Sequence, residues 1–201
     1  MEVRISKSER TRQLIIEKSA HLFNQKGYAG TSMQDIMVAT GLTKGGIYGH
    51  FESKEEIALA AFEHATSFVT RLISEKLAAH TSAKSKLISL INFYRSYLLT
   101  PPILGGCPVL NTSVEADDTN PQLHASVVKV LNKLHRAVAN IVRQGIEQQE
   151  FKPSADAERF AVLFISMVEG GIMVSKAYGD TKHLNIVLQH LEDQINTELI
   201  V

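Results

Sequence analysis

Tryptophan is absent from this chain, cysteine occurs once, proline five times, and the formal charges cancel to a net of zero. Each shortage removes a class of protein. A single thiol, Cys107, can neither close an internal disulfide nor build a cysteine-based zinc site. No basic-then-apolar leader opens the sequence, because Arg4, Lys7, Glu9, Arg10 and Arg12 begin a polar helix instead. No apolar run reaches the roughly 20 residues needed to cross a bilayer. These features together lead to the expectation of a soluble, cytoplasmic protein without membrane association. Enzyme signatures are missing as well: there is no HExxH, no CxxC, no GxSxG elbow and no glycine-rich phosphate loop after a strand. The eight histidines are scattered, and His183 and His190, seven apart, lack the short helical spacing of metal ligands. Neither catalysis, a metal nor a cofactor is expected.

What is present is helical periodicity. Apolar residues make up 44% of the 201 positions, enough for a substantial core, and they recur mostly at steps of three and four. A first helix starts near Ser6, spaced from Glu9 as a capping box, buries Ile15, Ile16, Ala20 and Phe23, and stops at Gly27. A second starts at Thr31 or Ser32, with Asp35 completing another box. Gly41 makes a turn, Leu42 plugs the core, and Thr43 caps a short third helix that ends at Gly49. Further helices are read from Ser53 (with Glu56) through Ile73, from Ala83 to Leu99, from Val109 to Asp117, from Asn120-Pro121 past Ile141, from Ala155 to Tyr178, and from Thr181 to Leu199. The segment Thr100–Pro108, rich in proline and glycine, is a loop. The fold class is therefore all-α. A three-helix head is joined by the fourth helix to a larger helical body, with about nine helices in all. The expected division is 1–52 for the head and 53–201 for the body.

The stretch Thr31 to Lys54 carries the sharpest functional signal. Two short helices joined by a glycine turn form a helix-turn-helix, whose second helix is shaped for a DNA major groove. Thr31 and Ser32, at a helix start, offer hydroxyls and free N–H groups to a phosphate. Gly45 and Gly46 add little bulk, so the third helix could approach base edges closely. Lys44 could donate to guanine, and the Thr43 methyl could touch a thymine methyl. Tyr48, His50 and Lys54 suit backbone phosphates. Residues 1–55 hold eight basic against six acidic side chains, so phosphate affinity depends on placement more than on bulk charge.

From Ile15 to Leu59 the sequence resembles the DNA-binding domain of the TetR family of transcriptional repressors. The matching elements are Leu22-Phe23, Gly27-Tyr28, Thr31-Ser32 with Ile36, Gly41-Leu42-Thr43-Lys44-Gly45, Tyr48-x-His50-Phe51 and Lys54-Glu55-Glu56. Gly49 departs from a usually bulky position, and Gly46 from a common Thr or Ser. The resemblance implies a homodimer that binds a double-stranded operator, a ligand cavity in the body, and dimer packing by the last two helices.

The body matches that family only in architecture. Its expected ligand-lining residues are Phe62, Thr66, Val69, Tyr94, Tyr97, Cys107, Leu110, Asn111, Leu131 and His135, taken from apolar stripes and from polar groups embedded in them, and the expected inducer is a small organic molecule. Phe160, Phe164, Met167, Gly171, Val187, Leu188 and Leu191 lie on two helices too apolar to face water, which makes them the expected two-fold interface. The competing readings are a helical adaptor with a vestigial head and an enzyme.

Overall fold

The computed structural model describes residues 6–200; Glu2 and Arg4, counted above in the charge of the head, lie outside them. Among the described residues there are nine α-helices and no strand. They are α1 (Lys7–Gly30), α2 (Met33–Thr40), α3 (Lys44–Tyr48), α4 (Lys54–Ala78), α5 (Ala83–Tyr97), α6 (Pro108–Ala116), α7 (Pro121–Glu147), α8 (Ala157–Tyr178) and α9 (Lys182–Gln194). A π-helical turn, Ile195–Leu199, follows α9.

The helix starts are set by local hydrogen bonds. Ser6 Oγ accepts from the Glu9 N–H while Glu9 accepts from the Ser6 N–H, and Ser32 and Asp35 repeat the exchange at α2. At α4 the Ser53 hydroxyl takes the Glu56 N–H, but Glu56 reaches back to Glu52 N–H, one residue earlier than in the reciprocal box. Asn120 caps α7 through Leu123 N–H at 3.0 Å. Gly27 breaks α1 at φ +76°, and Gly41 ends α2 at φ +71°, both in the left-handed region that only glycine enters cheaply.

Packing groups the chain into two compact units, and the division of roles at residue 52 falls inside the first of them. Unit one takes the chain up to Phe68 together with Ile103–Val127; unit two takes Val69–Pro102 and the chain from Val128 onward. In unit one, Ile15, Ile16, Ile36, Ile47, Phe51 and Ile57 form an isoleucine-rich core under α2 and α3. Polar ties then fasten residues 103–107 and α6 to α1. The Asn24 amide donates to the carbonyls of Leu104 and Gly106, both at 2.9 Å. The Asn111 amide donates to the backbone and side-chain oxygens of Asn24, and His21 Nδ1 accepts from Leu104 N–H. Gly105 is needed here twice over: its φ is +106°, and a Cβ on it would stand 2.4 Å from the Asn24 carbonyl oxygen.

Unit two is held differently. Phe93, Tyr94 and Tyr97 of α5 pack edge-on or tilted against each other, and Tyr94 meets Phe164 of α8 at 6.4 Å between ring centroids. Gly145 lets Phe151 lie against α7, since a Cβ there would be 2.3 Å from the ring. The Glu150 carboxylate caps α5 by accepting from Ala83 and Lys84 N–H. α8 corrects the sequence reading on one point. Although Gly170-Gly171 and Glu169 interrupt it, the 22-residue helix is long and apolar enough to cross a bilayer. Its composition is accounted for by burial of Phe160, Ala161, Phe164, Ile165, Val168 and Ile172 within unit two.

Candidate nucleic-acid interface

The recognition element is assembled from short-range geometry. Thr43 caps α3 by accepting from Gly46 N–H at 3.2 Å, and Ile47, fully buried, anchors the five-residue helix to the core. The opposite face is open: Thr43, Lys44, Gly45 and Tyr48 are exposed, with Gly46 and His50 half-buried. The Lys44 ammonium lies 5.8 Å from the centre of the Tyr48 ring. Gly45 has no packing reason to be glycine, because a Cβ built on it meets nothing within 4 Å. A helix interior gives up roughly 1 kcal/mol for glycine over alanine, so bare backbone on this face is an asset for close approach to another surface.

Two of the nine expected DNA contacts are used differently. The Thr31 hydroxyl is buried and donates inward to the Gly27 carbonyl at 2.7 Å. The Lys54 ammonium donates to the carbonyls of Tyr28 and Thr31 at 2.7 and 2.8 Å and lies 4.1 Å from the Tyr28 ring centre. Both side chains brace the segment that leads into α2. Ser32 is exposed, but its hydroxyl is engaged with Asp35. Lys26, and with it Ser32, holds the Asp35 carboxyl far below the usual carboxylate range. Tyr28 is pushed up to about 12, chiefly by burial and then by its hydrogen bond to Glu55, so it stays a donor.

The expected ligand residues are divided between the two units. Phe62, Thr66, Cys107, Leu110 and Asn111 belong to unit one; Val69, Tyr94, Tyr97, Leu131 and His135 belong to unit two. Thr66 donates to the Phe62 carbonyl one turn back, Asn111 is spent on Asn24 and the Gly105 carbonyl, and buried Cys107 sits at the start of α6. Tyr94 and Tyr97 are core aromatics. Unit one does contain a narrow cleft, with room for about 30 Å³, walled by α1, α4, α6 and the start of α7. Phe62 is the one expected residue on its wall; Phe23, Tyr28, Thr112, Glu115 and Leu123 line it without having been singled out. Glu115 accepts from Tyr28 and Ala29 N–H, 87 and 86 residues away in sequence, so no local pattern announces it. Asn24 could have been found: it is a polar residue on the same helix face as Ile16, Ala20 and Phe23.

The expected interface residues are mostly inside their own protomer. Phe160, Phe164, Gly171, Leu188 and Leu191 are buried, whereas Met167 and Val187 are half-buried. Gly171 faces α9 of the same chain, where a Cβ would lie 3.1 Å from Leu184. The large apolar side chains left outside on these helices are Val162, Met173, Tyr178 and Ile186, and a Cβ on Gly170 would meet nothing within 4 Å.

An all-helical chain with a capped, open-faced α3 set on α1 and α2 is a helix-turn-helix DNA-binding protein. Residues 15–61 match the sequence profile described as bacterial regulatory proteins, tetR family, and residues 83–191 match the tetracyclin repressor-like C-terminal domain. A TetR transcriptional regulator from Chloroflexus aurantiacus J-10-FL superimposes with a TM-score of 0.93 at 41% identity, covering 97% of this chain and 98% of that one. A TetR-family regulator from Cytophaga hutchinsonii gives 0.91 at 38% identity, with 99% of each chain covered. The repressor DhaR of Mycobacterium sp. strain GP1 is 26% identical over 166 residues, 82% of each chain. This chain belongs to the TetR family: it is a DNA-binding transcriptional regulator and not an enzyme.

Proposed function

We propose that this regulator is a cytoplasmic homodimeric repressor, released from a palindromic operator by a small organic ligand. The observation that carries the DNA reading is Gly45: exposed and unpacked, it sits between Lys44 and Tyr48 on a helix fixed by Thr43 and Ile47. In the bound state α3 enters the major groove, with Thr43, Lys44, Gly45 and Gly46 against base edges and Tyr48 and His50 at phosphates. Thr31 and Lys54 act as the frame. Two heads related by a two-fold axis meet grooves set about one DNA turn apart, ~34–36 Å or a multiple of it. The outward apolar residues Val162, Met173, Tyr178 and Ile186 support a partner copy at α8 and α9.

Ligand release requires a site whose occupation favours a head geometry unfit for the operator. Selection of bound duplexes from a random pool tests the reading. The expected result is a palindrome with half-sites one or two helical turns apart. Recovery of no sequence preference would favour the adaptor with a vestigial head.

A further inference from the structure

We propose that Glu115, on α6, is a positioning residue for operator binding: it acts without touching DNA, by fixing the point from which α2 and α3 are aimed. The inference rests on the groove reading of α3 and on neither the ligand nor the two-fold axis. Gly27, at φ +76°, breaks α1 and leaves residues 28–30 as a last turn beyond the break. The N–H groups that open such a turn have no carbonyl behind them to bond. Glu115 supplies the acceptors, one oxygen to each. Oε2 takes Tyr28 N–H at 2.6 Å, and Oε1 takes Ala29 N–H at 2.7 Å. The turn itself crowds the carboxylate, since a Cβ on Gly27 would stand 2.7 Å from Oε2. No cationic side chain pairs with Glu115 among the described residues, so the two amides are its anchors.

The same segment is gripped by its carbonyls. Lys54 of α4 takes those of Tyr28 and Thr31, at 2.7 and 2.8 Å, and Glu55 accepts from the Tyr28 hydroxyl. Glu115 and Lys54 thus hold one stretch of backbone by groups of opposite polarity, from two different helices. Ser32, the cap of α2, follows directly. α2 has eight residues, a length of about 12 Å, so a tilt of about 5° at its start carries its far end, and α3 with it, ~1 Å off line. A binding constellation tolerates about 0.5 Å. Phosphate contacts carry no sequence information, so a misaimed α3 loses discrimination before it loses general attraction to DNA. Asn24, Asn111 and His21 fasten α6 and the loop before it to α1 independently, so loss of this one carboxylate leaves α6 seated. The sign of the effect is diagnostic. Removing a negative charge should by itself strengthen binding to a polyanion, so a fall in operator affinity runs against the electrostatics and reports geometry.

The test uses the full-length protein, the duplex recovered by selection from a random pool, and a scrambled duplex of the same length. Glu115→Gln is isosteric but turns one acceptor oxygen into a donor. It is expected to bind the operator about tenfold more weakly, the equivalent of one charge-assisted hydrogen bond. Its affinity for the scrambled duplex should be unchanged or higher, with the same salt slope and a retained melting transition. Glu115→Asp keeps the charge but is one methylene too short to reach both amides, and should lose operator affinity in the same way. In the wild-type protein, amide exchange at Tyr28 and Ala29 should be slower on the operator than on the scrambled duplex, because linked equilibria support each other in both directions. Full operator affinity in Glu115→Gln, full affinity in Glu115→Asp alone, or equal exchange in the two wild-type complexes would each overturn the inference. The exchange measurement decides it even where a variant does not fold. A wild-type protein that fails to tell the two duplexes apart overturns the groove reading of α3, and this inference with it.

Discussion

The two compact units are built on different bonding logic. Unit one sets an isoleucine-rich core under its DNA-facing helices and then relies on directed polar ties: Asn24, Asn111, His21, Glu115 and Lys54 each grip specific backbone groups. Unit two relies on interlocked rings and on glycines at α7 and α8 that let neighbours come close. A hydrogen bond can be taken over by a competitor that offers a better partner, at a net cost near 1 kcal/mol. A buried ring has no substitute short of a cavity. The contrast assigns adjustability to the first unit and fixed scaffolding to the second.

The comparison breaks most visibly at Phe164, which is fully buried among Tyr94 and Phe160. Phe164→Ala is expected to cost ~3–5 kcal/mol of stability by denaturant unfolding; a loss under 1 kcal/mol would show unit two to be plastic. Next in size, Lys44→Ala and Tyr48→Ala should each weaken operator binding about ten- to a hundredfold with little change in melting temperature, since both side chains face outward. Full-strength binding by both would remove α3 from the groove. Lys54→Met deletes two bonds to carbonyls and is expected to cost about 1.5 kcal/mol, seen as faster hydrogen exchange in residues 28–32 before any change in unit two. The smallest effect concerns pH. Burial, aided by Lys18 and His64, lowers the His21 pKa, so the folded state favours the neutral ring that accepts from Leu104 N–H. Its contribution is fully present above the unfolded value near 6.5 and is lost as pH falls through the folded value. His21→Gln should flatten stability against pH in that range; an unchanged slope would show that His21 does not set it.

Much of unit one could be read directly from sequence because its signals are local. The Ser6–Glu9 and Ser32–Asp35 boxes, the turns at Gly27 and Gly41, and the inward Ile36 and Ile47 each follow from spacing within one or two turns of helix. The roles of Thr31 and Lys54 did not follow, since the partners of Lys54 lie 23 and 26 residues away and type alone suggests a phosphate contact. Glu115 was hidden for the same reason at greater distance. On α8, apolar residues occur on nearly every face, so hydrophobicity could not separate Phe164, turned in, from Met173, turned out. The ligand residues were chosen by apolar periodicity, which marks core and cavity alike; only packing separates Tyr97 in the core from Phe62 on a wall.

Lys26 is paired with Asp35, and α3 itself carries Lys44 as its one ammonium. Few condensed ions would be displaced when such a head settles on a duplex, so its grip on random chromosome should be weak and its affinity should decline only gently as salt rises. A regulator built this way searches by brief visits and hops, and it dwells where groove shape and base edges fit, because diffuse attraction contributes little to holding it elsewhere.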